Sequence, residues 1–343
     1  MKKRIEHIIK YEGRVKSFVK GTFDDNRILE DWKKNQSKTI INFPLKDLLF
    51  GVKDIINVDG YPTRCGSLLP SELFKGSQAS CVSKLLNAGA IFAGKTVTAE
   101  FAVSDPGETR NPRNLFHTPG GSSSGSGASV AAGFCDIAIG TQTSGSVIRP
   151  AGYCGVVGYK PSFGRISRDG VLLFSNSMDH VGLCTSDLDV LEKVLPLIVD
   201  GWRFQKPKVI KNISIGIPEG SYINLSKPNV LKQFLDTIQL LKEKFYIKNL
   251  ELVRDIESYN RKIDEITFAE LYKVHSVWFQ RYKELYGPIV RKTIEAGKKI
   301  SPEDFTSLTN RSRKDRKLLQ MLMIEKGIDI WIAPVAPDVA PFG

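Results

Sequence analysis

The amino-acid sequence predicts an α/β layered fold with a mixed β-sheet, and three observations carry that expectation. In the first half, short apolar runs bounded by turn residues alternate with a segment of helical spacing. The second half is dominated by long segments of helical period. Between them, residues 120–155 read GGSSSGSGASVAAGFCDIAIGTQTSGSVIRPAGYCG, with seven glycines and seven serines in the first 27 positions. A flexible linker would not carry the apolar run 128–132 or the buried-strand pattern 136–140, so this stretch has to fold as a helix-plus-strand unit.

The elements follow in order. Residues 1–38 are charged and weakly amphipathic, which predicts helices on the outside of the domain. Strands are expected at 48–56, 90–93, 136–140, 213–217 and 329–333, each rich in β-branched or apolar residues and near turn signals. A helix is expected over 77–87, with Gly89 placed to cap its C-terminus. Further helices are expected at 228–244, at 260–297 with a break near Gly287-Pro288, and at 302–326. Neither an internal repeat nor a low-complexity linker divides the chain, which predicts a single domain over 1–343.

Composition narrows the function classes. With 343 residues and 41% hydrophobic content the chain can bury a sizeable core. The formal charge of +12 is spread along the sequence and no nucleic-acid motif accompanies it, so a solvated basic surface is expected rather than a nucleic-acid partner. The densest cationic run, Arg311 to Lys317, reads as an exposed helix face. The cysteines at 65, 81, 135, 154 and 184 have no CxxC spacing, which favours buried thiols in a reducing compartment over disulfides or zinc. The first residues, MKKRIEHIIKYEG, contain no apolar signal region, and no run of 18 apolar residues occurs, so a cytoplasmic protein without membrane contact is expected.

Two serine-bearing, glycine-flanked turns, Gly120-Gly121-Ser122 and Ser144-Gly145-Ser146, bracket the helix-plus-strand unit. Glycines permit close backbone approach to a ligand, and consecutive N–H groups in such a turn form an anion-binding nest, the requirement for an oxyanion hole. These residue types suit attack by a hydroxyl on a carbonyl.

The stretch resembles the signature of the amidase signature family of serine hydrolases. The agreement covers GGSS, the small residues after it, the GTQT-x-GS loop and the IRPA-x-x-CG tail. It extends to Phe50-Gly-Val-Lys-Asp54, Gly60-Tyr-Pro-Thr63, Gly66-Ser67, Thr109-Arg-Asn-Pro112 and Gly158-Tyr-Lys-Pro161. The resemblance implies a central mixed β-sheet flanked by helices, with a helical arm at 1–38, the signature core at 44–187 and a mainly helical, substrate-side region at 195–327. It also implies a Ser-Ser-Lys triad: Ser146 as nucleophile, Ser122 as the bridging serine after a cis Gly121–Ser122 peptide, and Lys53 as base. Backbone N–H groups of Thr143, Ser144, Gly145 and Ser146 would form the oxyanion hole. No metal or organic cofactor is implied.

A hydroxyl must pass its proton to a base as it attacks. His7, His117, His180 and His275 stand in no family-like arrangement with the serines. An ordinary lysine is almost entirely protonated at neutral pH, so Lys53 could serve only if buried, and Phe50, Val52, Ile55 and Ile56 are suited to bury it. Gly121-Ser-Ser-Ser-Gly125 also satisfies the G-x-S-x-G elbow with Ser123 as nucleophile. However, an elbow needs a preceding strand, and residues 111–119 carry two prolines and read as loop. Ser123 and Ser124 are therefore expected to support the loop. Arg149 is open between a substrate contact and a buried ion pair holding the loop, the second being favoured. Asp179 is expected to be structural, and Trp278, Tyr282 and Tyr286 to pack in the core.

The chain departs from the family at Ser144, where a glycine is frequent, and in its length. Members continue past the segment resembling residues 329–337, so strands completing the sheet and pocket are expected to be missing. The leading expectation is hydrolysis of a small-molecule carboxamide to carboxylate and ammonia or amine through a seryl acyl-enzyme. The alternatives are the A-type amidase subunit of a glutamyl/aspartyl-tRNA amidotransferase, and a truncated, non-catalytic amidase-like protein. That subunit more often carries an acidic residue and a Gly-Gly pair where this chain has Thr141-Gln-Thr-Ser144. Both a homodimer and a partner subunit remain open.

Overall fold

A computed structural model describes residues 1–38, 43–103, 107–203 and 212–343. The contacts group the chain into two compact units, one formed by Met1–Phe204, Val274–Lys292 and Ala340–Gly343, the other by Gln205–Lys273 and Thr293–Val339.

The first unit opens with α1 (Lys2–Val15) and α2 (Asp25–Gln36), the latter capped by the Asp24 carboxylate, which accepts the Arg27 N–H at 3.0 Å. Next come β1 (Leu49–Lys53), α3 (Ser80–Asn87), β2 (Ile91–Thr96), α4 (Ser124–Ala131), β3 (Ile137–Gln142), α5 (Ile148–Cys154), β4 (Val157–Tyr159), β5 (His180–Thr185) and α6 (Leu188–Ile198). The five strands form a mixed sheet in the order β2-β1-β3-β5-β4. Strand β1 is parallel to β2 and β3, whereas β5 runs antiparallel to β3 and β4. Every residue of β1, β2 and β3 is buried, as expected of parallel strands covered on both faces. A core of Ile5, Ile8, Val15, Phe18, Leu49, Phe134 and Ala138 joins the N-terminal arm to this sheet. The Asp136 carboxylate ties the pieces together, pairing with Arg4 at 2.8 Å and accepting the Leu49 N–H at 2.8 Å.

The Gly/Ser tract does fold, and its composition has a steric cause. All of α4 up to Val130 is buried. A Cβ on Gly125 would fall 2.2 Å from the Ser17 carbonyl oxygen and 2.4 Å from the Val97 nitrogen, and one on Gly127 would fall 3.0 Å from Pro150. The helix therefore approaches neighbouring backbone at a distance that only glycine allows. The tract ends on β3, whose central position in the sheet sets Gln142 at the mouth of the next loop.

The second unit holds β6 (Ser214–Glu219), α7 (Pro228–Leu241), β7 (Tyr246–Glu251) and β8 (Ile330–Trp331), its strands forming a three-stranded parallel sheet in the order β7-β6-β8. Its core is Ile215, Ile217, Phe234 and Ile238. Helices α8 (Ile256–Tyr282) and α9 (Pro288–Lys298), of which residues 274–282 and 288–292 belong to the first unit, are separated at Gly287, where the break was expected. The last, α10 (Pro302–Lys326), has the expected bounds: Ser301 accepts the Asp304 N–H at 3.0 Å at its start, and Gly327 closes it in the left-handed conformation. The cationic run 311–317 lies on α10, none of whose residues is buried.

Several expectations shift. Residues 54 and 55 leave the strand and turn, Ile56 makes an isolated bridge to Val171, β2 continues to Thr96, and β8 is only two residues long. Strands β6 and β8 form their own sheet instead of joining the mixed one. Five elements went unread: β4, α5, β5, α6 and β7. Of the aromatic trio, Tyr286 is fully buried and Trp278 packs edge-on against Phe74 at 5.4 Å, while Tyr282 is only half-buried. All five cysteines are buried thiols.

Gly125→Ala is expected to lower the unfolding free energy by about 1–3 kcal/mol in a denaturant titration. The clash is with backbone that cannot move aside, and it outweighs the gain of at most about 1 kcal/mol that alanine brings to a helix.

Candidate functional site

Lys53 ends β1 and is wholly buried. Its Nζ lies 2.7 Å from Ser122 Oγ, 3.0 Å from Thr141 Oγ1 and 3.5 Å from the Thr141 carbonyl oxygen. The Gly121–Ser122 peptide is cis. Arg149 Nη2 donates to the Gly121 carbonyl of this peptide at 2.7 Å, and the carbonyl of the next peptide, that of Ser122, accepts the Ala99 N–H at 3.0 Å. Arg149 thus anchors the loop through a backbone carbonyl, and among the described residues it makes no ion pair of the kind that was favoured.

Burial pushes the Lys53 pKa from 10.5 down to about 7. The charge of Asp179 works against burial, while the Arg149 guanidinium adds to the downward push. No comparable base is offered by histidine. His117 bonds the Ala340 carbonyl, His180 the Met178 carbonyl, His275 the Tyr286 hydroxyl and His7 the Ala132 carbonyl.

Ser146 joins the pair through the backbone: its carbonyl accepts the Ser123 N–H at 3.2 Å. Among the described residues no hydrogen bond links the hydroxyls of Ser146 and Ser122, so the structure makes one of the two contacts that a Ser146–Ser122–Lys53 relay needs. The N–H groups of Thr143, Ser144, Gly145 and Ser146 donate to no acceptor among the described residues, whereas those of Val147 and Ile148, one and two residues on, both go to Gln142 Oε1 at 2.9 and 3.0 Å. A turn with four consecutive free donors is suited to receive an anionic oxygen. Thr143 Oγ1 donates to Asp179 Oδ1 at 2.6 Å, and Asp179 Oδ2 accepts the Phe174 and Ser175 N–H groups at 2.7 and 3.0 Å. Asp179 is thereby the brace of this turn.

Ser123 donates to the Thr141 carbonyl at 3.1 Å and is preceded by no strand, while Ser124 opens α4. Neither forms a nucleophile elbow. One buried pair escaped the sequence reading. Lys95 Nζ lies 2.9 Å from Asp54 Oδ1 and donates to Thr63 Oγ1 at 3.1 Å, with both charged groups sealed from solvent. The signal was present as a lysine inside the apolar strand 91–96, which the register sets opposite Val52, two residues before Asp54. Removing Lys95 would strand a buried carboxylate, the costly way to break such a pair.

The fold and this cluster of hydroxyls around a buried amine fit a hydrolase acting on amide C–N bonds. The family model described as Amidase matches residues 2–342, and the chain belongs to that family. It is 30% identical to the A subunit of the glutamyl-tRNA(Gln) amidotransferase of Lachnospira eligens, over 98% of this chain and 79% of that one. It is 32% identical to the protein of the same name from Methanococcus maripaludis, over 90% of this chain and 77% of that one. A solved amidase structure superposes with a TM-score of 0.86 at 27% identity, covering 99% of this chain and 78% of that one. The native peptide amidase of Stenotrophomonas maltophilia shares the fold, with a TM-score of 0.79 at 20% identity over 99% of this chain and 82% of that one. No helix among the described residues is long and apolar enough to cross a membrane.

The buried amine sets a test of its own. Below pH about 7 the folded and unfolded chains both carry the Lys53 proton, and the burial penalty is present in full. Between about 7 and 10.5 the unfolded chain binds the extra proton, so stability rises with pH across that window. Lys53→Met is expected to raise the melting temperature at pH 7, with the advantage shrinking as pH approaches 10; an equal or lower melting temperature at pH 7 would contradict a charge-penalised amine.

Proposed function

We propose that the chain hydrolyses a primary carboxamide through a seryl acyl-enzyme, with Ser146 as nucleophile, Ser122 as proton bridge and Lys53 as base. The observation that carries this reading is the 2.7 Å contact of a solvent-free amine, held near neutrality by burial, with a serine hydroxyl. As Ser146 Oγ attacks the carbonyl carbon, its proton passes to Ser122 while that of Ser122 passes to Lys53. This requires the Ser146 side chain to turn toward Ser122 as substrate binds, a tightening common when an empty site fills. The anionic carbonyl oxygen is received by the free N–H groups of 143–146. The proton then returns through Ser122 to the leaving nitrogen, ammonia departs, and water resolves the acyl-enzyme by the reverse relay.

For the biological role, the extent of the likeness to amidotransferase A subunits favours that role over a free-standing small-molecule amidase, reversing the order that the Thr141-Gln-Thr-Ser144 loop suggested. In this reading the side-chain amide of glutamine is the ammonia donor, and a partner subunit receives the ammonia. A free-standing carboxamide hydrolase is the second reading, supported by the 27% identical amidase structure. Both use the same chemistry and differ in substrate.

Ammonia release from glutamine and from a panel of simple amides distinguishes them: a preference for glutamine supports the first, turnover of simple amides without glutamine the second. Ser146→Ala is expected to lower release by about 10⁴-fold or more, and Ser122→Ala by about 10²–10⁴-fold. The wild-type rate is expected to climb with pH through about 7 as the amine loses its proton. Equal release by wild type and Ser146→Ala on every amide would overturn the hydrolytic reading and leave a non-catalytic protein.

A further inference from the structure

A cavity of about 310 Å³ opens in the first unit, lined by Ala99, Glu100 and Val103 on one side and by residues 287–290, at the start of α9, on the other. That volume suits a small ligand. The Ala99 N–H donates to the Ser122 carbonyl at 3.0 Å, so one wall of the cavity shares a hydrogen bond with the bridging serine. Glu100 is the one ionisable side chain among the described lining residues.

The turn that carries Glu100 is held under strain. Phe101 and Ala102 are consecutive non-glycine residues in the left-handed region, with φ of 49° and 61°. Each such residue costs about 1 kcal/mol or more and persists only where its surroundings enforce it. Here the Phe101 N–H donates to the Cys65 carbonyl at 2.8 Å, and the Phe101 ring packs edge-on against His275 with centroids 4.4 Å apart. The Gly287 N–H donates to Glu100 Oε2 at 3.0 Å and to Oε1 at 3.2 Å. These contacts fix the carboxylate at the cavity wall.

No cation matches that carboxylate among the described residues. Its hydrogen bonds come from neutral donors, the Gly287 N–H and, at 3.3 Å, the Ser67 hydroxyl on Oε1. An ionised carboxyl group accepts about four such bonds, so Oε2 keeps room for another donor. Arg291, whose field reaches Glu100, is committed to Glu284 at 2.9 Å and to the Tyr286 carbonyl at 2.8 Å. Burial pushes the Glu100 carboxyl above its usual value, against the pull of its hydrogen bonds. An unpaired, half-buried carboxylate in an otherwise uncharged cavity is suited to receive a cation.

We propose that this cavity is a subsite for the non-reacting end of the substrate, where Glu100 Oε2 receives a protonated amine and so selects amides that also carry an ammonium group. This rests on the reading of Ser146, Ser122 and Lys53 as the hydrolytic machinery and names its substrate class as amino-acid amides, of which glutamine is one.

The test uses protection of Ser146 from a fluorophosphonate, which needs no knowledge of the natural substrate. Ser146 Oγ forms the O–P bond, the P–F bond breaks, fluoride leaves, and the hydroxyl proton passes through Ser122 to Lys53. At about pH 8, where a primary amine is protonated and a carboxylate ionised, labelling of the whole chain is followed with n-butylammonium and with n-butanol, which match in length and differ in charge. Butylammonium is expected to halve the labelling rate at a concentration about tenfold below that needed of butanol. Glu100→Gln, which keeps an acceptor for the Gly287 N–H and removes the charge, is expected to bring the two concentrations together. Equal protection by both in the wild type, or a folded Glu100→Gln that keeps the preference, overturns the proposal. Hydrogen exchange of the wild-type chain places the ligand without any variant: amides of 99–103 and 287–290 are expected to slow with butylammonium and not with butanol, and no slowing there overturns it too. Wild-type labelling no faster than that of Ser146→Ala would instead strike the hydrolytic reading itself.

Discussion

The site depends on one unfavourable act, the placing of a lysine amine in a volume that excludes water. Lys53 ends a strand covered on both faces, and no solvent reaches it. Among the described residues a charged amine there finds hydroxyl and carbonyl oxygens as its hydrogen-bond partners, which do not restore what hydration supplied. The surrounding architecture reads as what makes that placement tolerable: a parallel strand pair to fix the main chain, Thr141 and Ser122 to accept or donate, and the carboxylate of Asp179 nearby to moderate the penalty.

Around this point the hydrogen bonds are allotted with economy. The turn 143–146 is braced from one side by Asp179, through Thr143, and from the other by Gln142, through Val147 and Ile148. The braces take side chains and flanking amides and leave the central amides unclaimed. The same holds at the cis peptide, where Arg149 binds its carbonyl, Ala99 binds that of the next peptide, and the Ser122 hydroxyl is left to the lysine. Protein dipoles arranged before a ligand arrives need no reorganisation when charge develops, which is how such sites lower barriers.

Much of this was legible in the sequence, for identifiable reasons. Lys53, Ser122 and Ser146 sit in local motifs, and local motifs survive reading in one dimension. Helix α10 was bounded correctly because Ser301-Pro302 and Gly327 are terminal signals with their own chemistry. Helix α6 carried readable signals too, a capping Asp187 and apolar residues at 188, 191, 194, 195 and 198, with Pro196 interrupting them. Strand β7 is a half-exposed edge with no apolar run, and β5 is broken in pattern by Gly182. What no linear reading could supply was pairing at a distance: Lys95 with Asp54, Arg4 with Asp136, and the separation of β6 and β8 into a second sheet.

The five thiols show a last consequence of how tightly the first unit is closed. Burial lifts Cys81 and Cys184 to about 12, and Cys65, Cys135 and Cys154 are also raised by burial. Because only the thiolate reacts, none is a target for electrophiles while the fold stays shut. They are distributed over α3, α5, β5 and the segments following β1 and α4. Alkylation of each therefore records the opening of its own stretch of chain, giving the molecule five native reporters of partial unfolding at no cost to its surface.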